Sequence, residues 1–279
     1  MRNKQHAAYQ VVPYPKLRRL LAVMLHALQR KPMMHFLLEV DVTRARQHIR
    51  EHKANTGETL SFTAFLVACL GKAVDEHKAV QAYRKGRKQL VLFDDVDVET
   101  QIERDVAGEK QNITYIIRAA NHKTFRGIHH EIRTAQVEDV EKARVGSKAL
   151  QWMLFLPTFL FRFLYGMRGP HVLKKYGGTV GTAAVGMFEG GAGWAIPIGH
   201  PQSLMMTVGG IGVKPGVVDG SIAIRDYLSL TISLDHEVID GAPAARFTRR
   251  LKELIEAGYG FIEQEGALSE PLPVHDASR

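Results

Sequence analysis

The apolar and polar positions of this chain fall into stretches with two different periods. The clearest short period runs through Leu228, Leu230, Ile232 and Leu234, with Ser229, Thr231 and Ser233 between them. That alternation predicts a strand with one buried and one wet face. The run delivers Asp235-His236-Glu237-Val238-Ile239-Asp240-Gly241, after which Phe247, Leu251, Leu254 and Ile255 recur at helical spacing. Pro243 suits the first turn of that helix, and Asp240 is placed to cap it. A second helix is predicted over residues 59–77, where Phe62, Phe65, Leu66, Cys69, Leu70 and Ala73 repeat along one face.

Between these anchors the signals are shorter. Leu17, Leu20, Leu21, Met24, Leu25 and Leu28 mark an amphipathic helix ending before Pro32. Residues 36–42 read as a strand, with Thr43 placed to cap a polar helix through Lys53. Strands are predicted at 90–93, 96–103 and 113–117, and a polar helix at 121–143. From Gly177 to Gly220 glycines are dense and alternate with strand-like runs at 179–188, 194–198, 203–208 and 222–224. Asp219-Gly220 predicts a hairpin turn. The pattern breaks at residues 152–165, which are nearly all large and apolar, with Arg144 and Lys148 before them and Arg168, Lys174 and Lys175 after. A membrane span needs ~20 uncharged apolar residues, and Pro157 and Arg162 interrupt this run. It fits a buried or partner-facing segment, the wall of an apolar substrate pocket, or an in-plane membrane contact.

The 279 residues, 45% hydrophobic and 24% charged, are those of a globular protein rather than a disordered one. A single cysteine excludes an intrachain disulfide and favours a cytoplasmic setting. The net charge of +8 suits an anionic ligand or surface. The cations are scattered, however, and no nucleic-acid-binding motif is present, so no nucleic acid partner is expected. The segment after residue 28 lacks a secretory cleavage site.

Candidate chemistry is sparse. His236-Glu237-Val238-Ile239-Asp240 begins like a zinc-protease motif but carries Asp where the second His belongs, so that chemistry is excluded. His48 and His52 lie one helical turn apart without an evident third ligand, and no metal is expected. Cys69 belongs to a core stripe, where thiols are generally inert. Neither Gly-x-Gly-x-x-Gly nor a phosphate-loop pattern occurs. What remains is a histidine at a strand end, followed four residues later by Asp-Gly.

That motif, His236-x-x-x-Asp240-Gly241 after Leu-Ser-Leu-Thr-Ile-Ser-Leu and before Ala-Ala-Arg-Phe, resembles the catalytic domain of the 2-oxoacid dehydrogenase complex acyltransferases. These dihydrolipoamide acyltransferase cores are related to chloramphenicol acetyltransferase. Glu39-Val40-Asp41-Val42-Thr43, Ile116-Ile117-Arg118-Ala119-Ala120-Asn121, Lys142-Ala143-Arg144, Gly177-Gly178-Thr179 and residues 196–202 follow in the family's order. The resemblance implies an α/β (α+β) two-layer sandwich, a mixed sheet with helices of the chloramphenicol acetyltransferase-like kind. It also implies a homotrimer with active sites between subunits, and acyl transfer between coenzyme A and an acceptor thiol, hydroxyl or amine. His236 would be the general base and Asp240 would hold its turn. Imidazole (pKa ~6.5) is about two units weaker as a base than a thiolate (~8.5), so a positioned base helps.

The sequence departs from the family in three ways. The hydroxyl residue expected three positions before Gly186 is Ala183, leaving Thr182 or a backbone N–H to support the oxyanion. The loss of one such donor costs about 10²–10³-fold. No lipoyl-bearing segment is expected before the core, so a lipoyl group would act in trans if at all. The apolar run is an insertion, about residues 149–170. The expected organisation is an extended arm over 1–15, an acyltransferase-like domain over 16–262 and a flexible tail over 263–279. The leading expectation is a freestanding acyltransferase using acyl-CoA and no metal, cytoplasmic or peripheral at the inner face of a membrane. The alternative is a weakened or inactive trimeric core that binds an apolar partner or membrane surface through residues 149–168.

Overall fold

The computed structural model describes residues 10–15, 18, 22, 25, 26, 28, 31–106, 109–137, 169–185 and 191–261. The apolar run at 152–165, Gly186, the tail and most of the first predicted helix lie outside the described residues.

Eight strands and five helices alternate along these residues. They are β1 (Met33–Asp41), α1 (Thr43–Thr56), α2 (Phe62–Glu76), β2 (Tyr83–Lys85), β3 (Gln89–Val91), β4 (Val98–Val106), β5 (Glu109–Ile117), α3 (Phe125–Val137), α4 (Pro170–Gly177), β6 (Val180–Ala184), β7 (Leu204–Val218), β8 (Ser221–Asp235) and α5 (Gly241–Ala257). Six strands form one sheet in the order β1-β8-β7-β6-β4-β5, and β2-β3 form a separate hairpin. The sheet is mixed: β6 runs parallel to both β4 and β7, and the remaining pairs are antiparallel.

Alternate residues of the sheet, including Val98, Val180, Leu204, Met206, Leu230 and Ile232, pack against Phe65, Leu70, Ile128, Phe247 and Leu251 of the helices. This is the expected two-layer arrangement, with a core of large aliphatic and aromatic side chains between the layers. Helix α2 is held at its start by Ser61, whose hydroxyl accepts a bond from Ala64 N at 3.2 Å. Cys69 is fully buried within α2, and burial pushes its thiol pKa up.

The structure corrects several sequence expectations. Thr43 does not cap α1. It is the first helical residue, and its hydroxyl accepts from Asp226 N at 2.8 Å, while Asp41 Oδ1 accepts from Thr43 N. Residues 194–198 form no strand. The runs at 203–208 and 222–224 are parts of one long hairpin, β7–β8, turning at Asp219 (φ 50°) and Gly220 (φ 78°) as the Asp-Gly pair predicts. The expected wet face of β8 is also buried: Ser229, Thr231 and Ser233 are at most 2% exposed. Residues 191–193 cross that face, and Gly193 N donates to Ser229 Oγ. Gly209 and Gly210 permit the crossing, because a Cβ on either would overlap the carbonyl oxygens of Gly193 and Gly191. The register of β7 shifts at the same point.

Candidate active site

The last residue of β8, Asp235, organises the histidine turn. Its backbone N–H donates to Ser203 O at 2.9 Å, and its carbonyl accepts from Val238 and Ile239. Its side-chain Oδ1 accepts from Glu237 N at 3.0 Å, closing a local turn around His236. The His236 N–H itself donates to Pro32 O at 2.8 Å, tying the turn to the residue just before β1. Lys31, beside that proline, completes the clamp. Its Nζ lies 3.2 Å from Asp235 Oδ2 and donates to Pro201 O at 2.9 Å and Gln202 O at 3.3 Å. The Asp235 side chain is only 5% exposed. Burial lowers the Lys31 pKa, with the Asp235 carboxylate opposing that shift. A cation and a carboxylate, both largely out of water, thus brace the backbone on both sides of His236.

The His236 side chain is half exposed. Its Nδ1 stands 3.9 Å from Asp240 Oδ1, beyond hydrogen-bond length. Nε2 has no hydrogen-bond partner among the described residues and is open to an incoming group. Asp240 occupies the position before α5 with extended backbone (φ −82°, ψ 166°), yet its side chain makes no cap hydrogen bond. It faces the histidine instead, contrary to its expected capping role. The next residue on the turn, Glu237, pairs with Arg84 of β2.

Thr182 and Ala183 lie elsewhere. Ala183 pairs with Thr207, which pairs with Thr231, five positions before His236. At about 3.3 Å per residue and 4.8 Å between strands, the two sites are roughly 19 Å apart within one chain. Adjacent strand residues point to opposite faces. The Thr182 hydroxyl donates to Glu99 O at 3.0 Å, so it is already engaged within the sheet. Ala183 borders a cavity of about 280 Å³ whose walls include Leu66, Ile102, Ile132 and Met206. The structure therefore brings His236 and Asp240 together but places neither Thr182 nor Ala183 beside them.

Sequence reasoning missed Lys31, Asp235 and His200. His200 is 6% exposed, and neither ring nitrogen has a well-formed hydrogen bond among the described residues. Burial, with Lys31 nearby, holds its pKa at about 4. The Lys31 contacts span some 170 residues of sequence, and no local pattern announces such a pairing. His48 and His52 turn to different neighbours: His48 stacks on Phe261, and His52 Nε2 meets Glu58 at 2.9 Å. Among the described residues no group of three or more His, Cys, Asp or Glu could hold a metal, and no helix is long and apolar enough to cross a membrane.

A mixed sheet layered with helices, carrying His-x-x-x-Asp-Gly at the end of a strand, defines a domain of the acyltransferase class. Residues 6–151 and 174–261 match the family model of the 2-oxoacid dehydrogenases acyltransferase (catalytic domain), and the chain belongs to that family. It is 28% identical over 226 residues to the lipoamide acyltransferase component of the branched-chain alpha-keto acid dehydrogenase complex of Bacillus subtilis, covering 79% of this chain and 46% of that protein. It is 26% identical over 235 residues to the dihydrolipoyllysine-residue acetyltransferase component of the pyruvate dehydrogenase complex of Zymomonas mobilis, covering 82% and 46%. The chain thus spans about half the length of the curated relatives it matches. The fold is that of a dihydrolipoamide acetyltransferase of Azotobacter vinelandii, at a TM-score of 0.65 and 22% identity, covering 91% of this chain and 93% of that one.

Proposed function

We propose that this chain is a coenzyme A-dependent acyltransferase that transfers an acyl group between coenzyme A and an acceptor thiol, hydroxyl or amine, with His236 as general base. The observation that carries this reading is the open Nε2 of His236, on a turn braced through Asp235 and facing Asp240. With a thiol acceptor, Nε2 takes the S–H proton as the sulfur attacks the thioester carbonyl. The tetrahedral intermediate then expels the coenzyme A thiolate, which takes that proton back. The Asp240 carboxylate stands on the Nδ1 side of the ring, 3.9 Å away. The acyl carrier, a lipoyl group or another acceptor, reaches the site from outside the described residues.

The working unit is a homo-oligomer, a homotrimer in keeping with the family resemblance, with Ala183 of one copy able to approach His236 of another. The separation of roughly 19 Å within one chain supports that arrangement. Purified protein given acetyl-CoA and dihydrolipoamide should release coenzyme A, and His236→Ala should lower turnover by about 10²–10⁴-fold. Unchanged release in that variant removes His236 as the base.

Ala183 favours a second reading, a core whose catalysis is weakened by a missing oxyanion donor. Ala183→Ser discriminates between them. A rise in kcat of tenfold or more identifies a site limited by that donor, and no rise identifies one supported by other groups.

A further inference from the structure

Four of the five residues from 84 to 88 are cations: Arg84, Lys85, Arg87 and Lys88, interrupted only by Gly86. The structure folds them into the hairpin β2–β3, with Gly86 at φ 65° in the turn and all four cations exposed. The root of the hairpin is fixed to the body of the protein. Tyr83 OH donates to Gly178 O at 2.8 Å, Ser203 Oγ donates to Ala82 O at 2.6 Å, and Tyr83 packs edge-on against Phe93. These contacts hold the hairpin at the histidine turn, where Arg84 pairs with Glu237, the residue after His236. That carboxylate neutralises one cation. Lys85, Arg87 and Lys88 form no ion pair among the described residues. Three cations without an ion pair among the described residues therefore lie within four residues of Arg84, whose partner Glu237 directly follows the proposed base.

Like charges placed this close repel one another, and they favour an anion of high charge density. We propose that the hairpin at residues 84–88 is the subsite that grips the phosphates of the coenzyme A donor, while its thiol end reaches His236. The assignment rests on the acyltransferase reading above. Coenzyme A combines a diphosphate and a 3′-phosphate with an uncharged arm ending in the reactive sulfur. A rigid cationic hairpin beside the base matches that distribution, with charge held at one end and chemistry at the other. Arg87 and Lys88, in the turn, make the phosphate contacts. Arg84 stays with Glu237 and links the subsite to the turn.

The test is calorimetric binding of coenzyme A, 3′-dephospho-coenzyme A and pantetheine to the full chain and to a Lys85→Glu/Arg87→Glu/Lys88→Glu variant. Thermal unfolding verifies that the variant is folded, and a Lys85→Gln/Arg87→Gln/Lys88→Gln variant stands in if charge reversal impairs folding. Coenzyme A affinity should fall at least tenfold in either variant and weaken with salt in the wild type, while pantetheine binding changes less than twofold. A loss confined to coenzyme A places the 3′-phosphate on the hairpin, and an equal loss with the dephospho form places the diphosphate there. Coenzyme A binding that is unchanged in the variants overturns the subsite and leaves the acyltransferase reading standing. Failure of the wild type to bind coenzyme A overturns both.

Discussion

Lys31 and Asp235 show how much of the candidate site depends on one long-range pair. Removing the cation would leave a carboxylate, 5% exposed, without its partner and would free two carbonyls in the 201–202 segment. Breaking a buried pair in this way costs about 3–5 kcal/mol. Lys31→Met should therefore lower the urea midpoint substantially, and it should reduce kcat more than it raises KM, because the lost group orients His236 without touching substrate. Lys31→Arg should recover part of both. His200 gives the same region a dependence on pH. Its imidazole is held at about 4 against an ordinary 6.5, first by burial and then by Lys31 and His35, with Asp235 opposing. As pH falls below 6.5 the unfolded chain takes up a proton that the folded chain refuses, so stability declines from pH 6.5 down to about 4. The full difference is worth about 3 kcal/mol. Denaturant midpoints at pH 7 and 4.5 should converge in His200→Leu relative to the wild type; an equal decline in both proteins would show that other groups carry the acid sensitivity.

At the scale of elements, what the sequence made legible was local, and what it hid was long-range. The apolar stripes of α2 and α5 predict helices because a 3.6-residue period depends only on near neighbours, and Asp219-Gly220 predicts its turn because both residues accept positive φ. The length of the β7–β8 hairpin was not legible. It is set by pairing from Leu204↔Leu234 out to Val218↔Ser221, through glycines and polar residues that carry no strand signal. The wet face expected for β8 failed for a related reason. Alternation of Leu with Ser and Thr records two different surroundings, and the second is protein rather than water, with the 191–193 crossing at Ser229 and His35 at Ser233. The candidate site divides along the same line: His236 and Asp240 stand in one local motif, whereas the Lys31 brace joins segments about 170 residues apart. Gly210→Ala tests the crossing directly. The new methyl group would meet a backbone carbonyl that cannot swing aside as a side chain can, so the variant should lose about 2 kcal/mol or more. A loss below 0.5 kcal/mol in chemical denaturation would show that the crossing gives way easily.

For the whole molecule, the outer half of the β7–β8 hairpin is the part a lone chain leaves unfinished. β1 pairs with β8 only as far as Tyr227, and β6 pairs with β7 only as far as Val208. Beyond those rungs the two strands continue as a ribbon with no further strand on either edge among the described residues, and a two-stranded ribbon is marginal by itself in water. Val213, Pro215, Val217, Ile222 and Ile224 share one face of the ribbon by register, and the four aliphatic side chains among them are 67–81% exposed. A contiguous apolar face on an unsupported ribbon marks an association surface. The homo-oligomer proposed above would cover it and would also bridge the distance between His236 and Ala183, since a site split between copies needs each copy to reach across to its neighbour. Sedimentation equilibrium should therefore find an oligomer, and Val217→Asp combined with Ile222→Asp should shift it to monomers, raising the dissociation constant at least tenfold. Because neither position lies near the His236 turn in its own chain, the same double variant should lose acyl transfer in step with dissociation. Monomers that retained full activity would place the whole site within one chain.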